Sequence, residues 1–318
     1  LGIAKIPYSR LYYGTIHGKV FRLDNASDIT SVPKEITGTS FPKVGYVSCI
    51  AVDAADGNNA VVAFSNYKVI SLFATKDGGL TWEAVAGNLE QNPNGSGSGP
   101  SCRWVEILTV SGKKIYYVGT STGLYSTAYL NRENTVWEQE GVEAIGNVVV
   151  DMLDSRDSDG KIVAATHGNG VFSSNVTQSP LPPVAPALVS PLNDTTGVLL
   201  SQLLTWKSSA GAAGYQIQLS EKADFSTIFA DQNGLKTTNY SVSNLAQGLK
   251  EYYWRVKASS SGGASEFSEV WKFTTAIAPP VLTSPVSGTV GLGLPVIISW
   301  AESIGANSYH VQVSQNLG

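Results

Sequence analysis

Four segments within the first 174 residues are written to one pattern, and that repetition constrains the chain more than any other feature. They are Leu11–Leu23 (LYYGTIHGKVFRL), Ala60–Thr75 (AVVAFSNYKVISLFAT), Ile115–Thr127 (IYYVGTSTGLYST) and Ile162–Ser174 (IVAATHGNGVFSS). Each reads as an apolar strand, a polar turn and an apolar-aromatic strand, which predicts a β-hairpin. In the second the turn is looser, at Asn66-Tyr67. Further strands are predicted ahead of the later hairpins, at Cys49–Val52, Trp104–Val110 and Asn147–Met152. Units of 40–50 residues, each with several strands, predict small sheets stacked in series, because one small sheet cannot cover both its faces.

Composition agrees. Only 14% of residues are charged, against about 25% in ordinary soluble domains, while Gly is frequent at 32 residues. Such a chain favours short strands and tight turns over surface helices. The net charge of −4 and the lack of a Lys/Arg cluster argue against nucleic acid. No apolar run approaches the roughly 18 residues that a membrane-spanning helix needs. The chain starts at Leu1, which reads as a processed or partial polypeptide. Its two cysteines, Cys49 and Cys102, make no disulfide framework. An inter-sheet bridge and two buried free thiols both stay open.

Thr75-Lys76-Asp77-Gly78-Gly79-Leu80-Thr81-Trp82 fits S/T-x-D-x-G-x-T-W. Asp77 is suited to accept from turn amides, and Gly78 and Gly79 to adopt positive φ. The segment resembles the Asp-box, or BNR repeat, of sialidases, sortilin-type receptors and two-propeller hydrolases. In those families the box is structural and lies away from the active site. The resemblance therefore implies a structural role for Thr75, Asp77, Gly79, Thr81 and Trp82. A worn copy ends at Asn134-Thr135-Val136-Trp137. Residues 11–176 resemble BNR/WD40/YVTN-type propellers of large secreted proteins of Bacteroidota and relatives. That resemblance implies an extracellular, cell-surface location and about four C-terminal propeller blades, with further blades upstream.

Composition changes at Ser179–Pro186 (SPLPPVAP), where four prolines in eight residues predict an extended connector. Beyond it, residues 186–220 match residues 280–314 at an offset of 94, with 14 identities in 35 positions. A unit of that size suits a β-sandwich of roughly 100 residues. Tyr252, Trp254 and Val256 alternate onto one face of a strand. Leu245 with Tyr252-x-Trp254-x-Val256 resembles the tyrosine corner of fibronectin type III modules, with a Leu-to-Tyr spacing one residue longer than usual. The expected organisation is all-β. Propeller blades occupy 1–178, a linker 179–185, a fibronectin type III-like domain 186–276, and the first part of a second such domain 279–318.

Catalytic constellations are sparse. Asp53 and Asp151, read as ending equivalent strands (AVD and VVD), are the candidates for a glycosidase-like acidic pair. Turn capping explains them as well. Acidic turn residues are also consistent with a weak structural Ca²⁺ site, though no Ca²⁺-loop spacing occurs. Otherwise no cofactor or metal is expected. Arg10, Arg22, Arg103, Arg132 and Arg156 are scattered, and His17 and His167 read as turn residues. Tyr8, Tyr12, Tyr13, Tyr46, Tyr67, Tyr116 and Tyr117 are candidates for a glycan platform, or for core packing.

Three readings follow. The first is a non-catalytic surface or adhesion protein that meets a protein or glycan. The second is an accessory region of a secreted hydrolase whose catalytic residues lie upstream. The third is a building block of an extracellular filament, with self-association or completion by neighbouring chains.

Overall fold

The structure is a computed structural model and describes residues 1–315. Residues 316–318, the last three of the expected second sandwich, lie outside it. The chain divides into two compact units, Leu1–Pro183 with Ser259–Ala264, and Val184–Ala258 with Ser265 onward. Both are built of β-strands. The described helices are two 3₁₀ turns, Gly87–Leu89 and Arg132–Asn134.

The first unit contains four antiparallel meanders in sequence order. Sheet one is β1 (Gly2–Ile3), β2 (Leu11–Gly14), β3 (Val20–Leu23) and β4 (Lys34–Glu35). Sheet two is β5 (Val47–Val52), β6 (Ala60–Phe64), β7 (Leu72–Thr75) and β8 (Glu83–Ala84). Sheet three is β9 (Cys102–Val110), β10 (Lys113–Thr120), β11 (Gly123–Thr127) and β12 (Glu138–Glu140). Sheet four has three strands, β13 (Val150–Arg156), β14 (Lys161–Thr166) and β15 (Val171–Asn175). The hairpins read from the repeated segments are β2–β3, β6–β7, β10–β11 and β14–β15.

Each sheet packs on the next. Tyr12, Val20, Ile36, Phe41, Phe64 and Phe73 fill the space between sheets one and two. Val61, Leu72, Val105, Val118 and Trp137 join sheets two and three, and Leu108, Tyr117, Leu153 and Ile162 join three and four. Sheet two is covered on both faces. That is why β6 (AVVAF) is buried at every position and reads as a continuous apolar run.

A recurring staple locks adjacent sheets. Trp82 immediately precedes β8, and its indole N–H donates to the carbonyl of Ile36, just after β4, at 2.8 Å. Trp137 immediately precedes β12 and donates to the carbonyl of Val85, just after β8, at 2.9 Å. Each tryptophan thus fills the outer gap against the preceding sheet and satisfies a backbone acceptor there.

In the second unit a sheet ordered β16-β18-β21 accompanies one ordered β17-β24-β22-β19-β20. The strands are β16 (Leu188–Ser190), β17 (Thr195–Val198), β18 (Gln202–Trp206), β19 (Gly214–Ser220), β20 (Ile228–Leu235), β21 (Asn239–Val242), β22 (Glu251–Ser260), β23 (Gly263–Ala264) and β24 (Trp271–Thr275). Short β23 pairs with Ser259–Ser260 at the end of β22, within the stretch Ser259–Ala264 that groups with the first unit. Leu204, Trp206, Ile217, Leu219, Tyr252, Trp254, Val256 and Phe273 form the core. They come from alternate positions of facing strands, as a sandwich requires. Tyr252 sits second in β22, and its hydroxyl accepts from the Ala246 N–H at 2.9 Å. This is the corner geometry expected despite the long spacing.

The 94-residue repeat is also structural. β25 (Leu282–Ser284) pairs with β26 (Ser299–Trp300) in the register that joins β16 to β18. The Tyr215 hydroxyl accepts from Ser209 N–H and that of Tyr309 from Ser303 N–H.

One strand differs from expectation. Asn147–Met152 was the predicted opening strand of the fourth sheet, but β13 runs Val150–Arg156. Its polar end is held by the neighbouring sheet. The Ser155 hydroxyl donates to Glu106 at 2.9 Å, and Asp157 accepts from the Thr109 N–H at 2.9 Å.

Candidate functional site

The Thr75–Trp82 segment forms a closed polar turn between β7 and β8. One Asp77 oxygen accepts from the Thr75 hydroxyl (2.8 Å) and the Thr81 N–H (2.9 Å), and the other from the Thr81 hydroxyl (2.6 Å). The Thr75 hydroxyl oxygen accepts from the Gly79 N–H at 2.9 Å. Gly79 has φ +89, and a Cβ there would lie 2.5 Å from the Ile36 side chain, so both backbone and space demand glycine. Trp82 faces Phe41 with ring centroids 5.2 Å apart.

Partial desolvation works against the Asp77 carboxylate, but the donors from Thr81 and Thr75 outweigh it and hold the pKa at about 2, below the ordinary 3.8. A carboxylate depressed in the folded state stabilises above its unfolded pKa and loses that contribution as pH falls through the folded one. Asp77→Asn is therefore expected to melt below the parent at pH 7, with the gap closing between pH 4 and 2. A gap that stays constant over that range in thermal unfolding would refute the linkage.

The structure does not bring Asp53 and Asp151 together. The first strands of sheets two, three and four lie side by side and run the same way. The Ser48 hydroxyl and Cys49 thiol reach the Cys102 and Val105 carbonyls, and Arg103 and Thr109 meet Asp151 and Asp157. Asp53 follows the end of β5, whereas Asp151 is the second residue of β13, so they occupy opposite ends. Their apparent equivalence came from placing the fourth sheet's opening strand too early. Asp53 is fully buried. It accepts from the Ala55 N–H (2.9 Å) and the Asn59 amide (3.3 Å), and it pairs with Lys114. That is turn capping reinforced by an ion pair.

Asp151 belongs instead to a groove at the starting ends of these strands. The groove, of about 380 Å³, is lined by Tyr46, Ser48, Ser65, Tyr67, Ser101, Arg103, Trp104 and Asp151. The chain enters β5 at Tyr46, leaves β6 through Ser65–Tyr67 and enters β9 at Ser101, so three loops meet there. They are tied by Tyr46 N–H to the Asn66 side chain (2.5 Å), Ser65 N–H to the Tyr46 carbonyl (3.2 Å) and the Ser101 hydroxyl to the Ser65 carbonyl (2.7 Å). Arg103 donates to Asp151 at 2.9 Å, and the His167 ring nitrogen stands 3.3 Å from the other Asp151 oxygen. The Trp104 indole N–H reaches towards the Glu106 carboxylate, and the Arg103 Nε is buried without a hydrogen-bond partner among the described residues. Tyr46 and Tyr67 remain 47% and 62% exposed. Two rings, a row of hydroxyls and an Arg–Asp pair suit a ligand with apolar C–H faces and many hydroxyls.

The other candidates are placed elsewhere. Tyr12 and Tyr117 are core residues, Tyr13 stacks on Phe21, and Tyr8 is exposed. Arg10 and Arg22 converge on Asp24, each with Nε at 2.8 Å, and Arg22 also donates to the Gly78 carbonyl at the polar turn. Arg132 pairs with Glu83 and Arg156 with Asp159. His17 is an exposed turn residue. Cys49 and Cys102 are buried free thiols, which desolvation pushes up to about 11 and about 12. No group of three or more His, Cys, Asp or Glu among the described residues is placed to hold a metal ion. No helix among them is long and apolar enough to cross a membrane.

Sequence reasoning passed over Glu106. Burial raises this carboxyl to about 7, against the Ser155 hydrogen bond and with Asp154 and Asp157 adding to the rise. An acid in the middle of the apolar strand CRWVEILTV was the available signal.

Among solved structures, the chain is similar to a Fn3-like protein from Clostridium thermocellum at 26% identity. That likeness covers 30% of this chain and 93% of the other, with a TM-score of 0.22. The fibronectin type-III domain of human fibronectin type III domain containing protein 3 is 26% identical over 36% of this chain and 99% of that one, with a TM-score of 0.23. An alpha-L-rhamnosidase from Dictyoglumus thermophilum is 19% identical over 36% of this chain and 16% of that one, with a TM-score of 0.26. No family model and no curated protein matches the chain.

Proposed function

We propose that the chain is a non-catalytic interaction region of an extracellular surface protein. Its meanders are successive blades of a propeller, and its fibronectin type III-like sandwiches are spacers. The Asp-box hydrogen bonding of Thr75–Trp82 and the serial stacking of three four-stranded sheets and one three-stranded sheet support the propeller part of this reading. The sequence resemblance supports the extracellular part. The groove of Tyr46, Tyr67, Arg103 and Asp151 carries the functional part, and its ligand is a glycan.

Tyrosine rings offer flat faces for sugar C–H groups, while the Arg103–Asp151 pair presents a donor and an acceptor side by side for adjacent hydroxyls. The loss of either exposed ring removes stacking area without touching the sheets. In titration against a panel of soluble oligosaccharides and polysaccharides, the parent chain is expected to bind at least one saturably. Tyr67→Ala is expected to weaken that binding about tenfold, roughly 1.4 kcal/mol, at unchanged melting temperature. Failure of the parent to bind any glycan in the panel, or undiminished binding by Tyr67→Ala, would remove this assignment.

A further inference from the structure

A second groove opens beside the one that holds Tyr46 and Tyr67. It has a volume of about 370 Å³, and its lining includes Lys43, Val44, Lys68, Val69, Ile70 and Asn94. The bond from the Tyr46 N–H to the Asn66 side chain ties the two loops together. One wall, built from residues 44–46 and 66–68, therefore serves both grooves. Lys68 directly follows Tyr67, which puts their Cα atoms about 3.8 Å apart. Lys43 is three residues before Tyr46 and so lies within about 11 Å of it. Both lysines fall within the span of a short oligosaccharide seated on the tyrosines.

The second groove is built on fixed backbone. Gly95 has φ +80, and a Cβ there would collide with the Ile70 nitrogen and the Val69 carbonyl carbon, so the loop 92–96 lies directly on that segment. The Asn92 amide donates to the Ser96 carbonyl at 3.2 Å, and the Asn94 side chain accepts from the Ser96 N–H at 3.0 Å. Lys68 has φ +61, a left-handed conformation that lysine seldom adopts. The link between β6 and β7 thereby sets the direction in which its side chain leaves the backbone.

Charge distinguishes the two grooves. Among the described residues, no carboxylate lines the second one. The lysines with ion-pair partners there are Lys19, Lys114, Lys250 and Lys272, so Lys43 and Lys68 stand exposed with their charge uncompensated. The first groove balances Arg103 against Asp151. A neutral half suited to hydroxyls thus adjoins a cationic half, on a chain whose net charge is −4.

Resting on the glycan reading of the tyrosine groove, we propose that the two grooves form one track for an acidic polysaccharide, whose carboxylate or sulfate groups meet Lys43 and Lys68. An ammonium group is a compact point charge on a flexible stem, without the fixed fork of a guanidinium, and accommodates either anion. One exposed pair contributes little, and two together supply about tenfold in affinity. That contribution is screened by salt, because the Debye length falls from about 8 Å at physiological ionic strength to about 3 Å at 1 M.

The probes are two matched pairs titrated into the whole chain, an oligogalacturonate with its methyl ester and a dextran sulfate with dextran. The charged member of at least one pair is expected to bind about tenfold more tightly than its neutral counterpart, and the ratio to fall towards unity in about 1 M salt. The pair that shows the preference identifies the anion. Lys43→Gln/Lys68→Gln is expected to bring the ratio down to about twofold or less at unchanged melting temperature. Equal binding of charged and neutral members in both pairs, or a ratio that the double variant retains, overturns this proposal and leaves the glycan reading standing. Absence of binding by all four probes overturns both. Tighter binding of a poly-dT oligonucleotide than of either acidic glycan also overturns it, because the lysines would then serve a nucleic acid.

Discussion

Alanine at position 137 is expected to destabilise the first unit by about 3–5 kcal/mol, the range for removing a large buried aromatic. Trp137 is 2% exposed and sits among Val61, Leu72, Leu89 and Val118 at the joint of sheets two and three. The Asn88 side chain grips its backbone from both sides, accepting from the Trp137 N–H at 2.6 Å and donating to its carbonyl at 2.9 Å. Truncation would leave a cavity and strand the Val85 carbonyl. Trp137→Phe retains most of the packing and loses the indole donor, so its cost should be nearer 1–2 kcal/mol. Denaturant unfolding of the two variants would test the ordering. Equal losses would mean that the hydrogen bond carries the staple, and a loss below 1 kcal/mol for alanine would mean that the joint collapses without penalty.

The second large effect is expected from Lys114→Met. Asp53 has no solvent contact, and Lys114 is its only charged partner among the described residues. Removal of one member of a buried ion pair typically costs 3–5 kcal/mol, because the other charge is left without compensation. Here about 2–3 kcal/mol is expected. Lys114 keeps 31% of its side chain exposed, and Asp53 retains its bonds from Ala55 and Asn59. The double variant Asp53→Asn/Lys114→Met should recover most of that loss, since a neutral amide can still accept from Ala55. If the double variant is as unstable as Lys114→Met, the damage comes from lost lysine packing and not from a stranded charge.

Local patterns reported faithfully where neighbours in sequence are neighbours in space. The four hairpins, the Thr75–Trp82 turn, the Tyr252 corner and the 94-residue repeat all depend on short-range spacing, and all were visible in the residue string. The β13 boundary was not. Val148–Val150 looks like the strand centre, but the strand continues through Asp154, Ser155 and Arg156, where the Ser155 hydroxyl donates to Glu106 of the adjacent sheet and Arg156 pairs with Asp159. The error carried Asp151 to the wrong end of its strand and created a false pairing with Asp53. The groove was invisible for a related reason. Tyr46, Ser65, Ser101 and Asp151 meet only because three separate sheets begin their first strands at one level, which no local spacing records.

Both thiols in the polypeptide, Cys49 and Cys102, lie in the first unit, shielded from solvent and poor at ionising. A thiol-specific reagent should therefore find nothing to label until the stack of meanders opens, and the sandwich region stays silent to it throughout. The native polypeptide thus carries its own chemical clock for one half alone, by which opening of the meanders can be timed without engineering a probe.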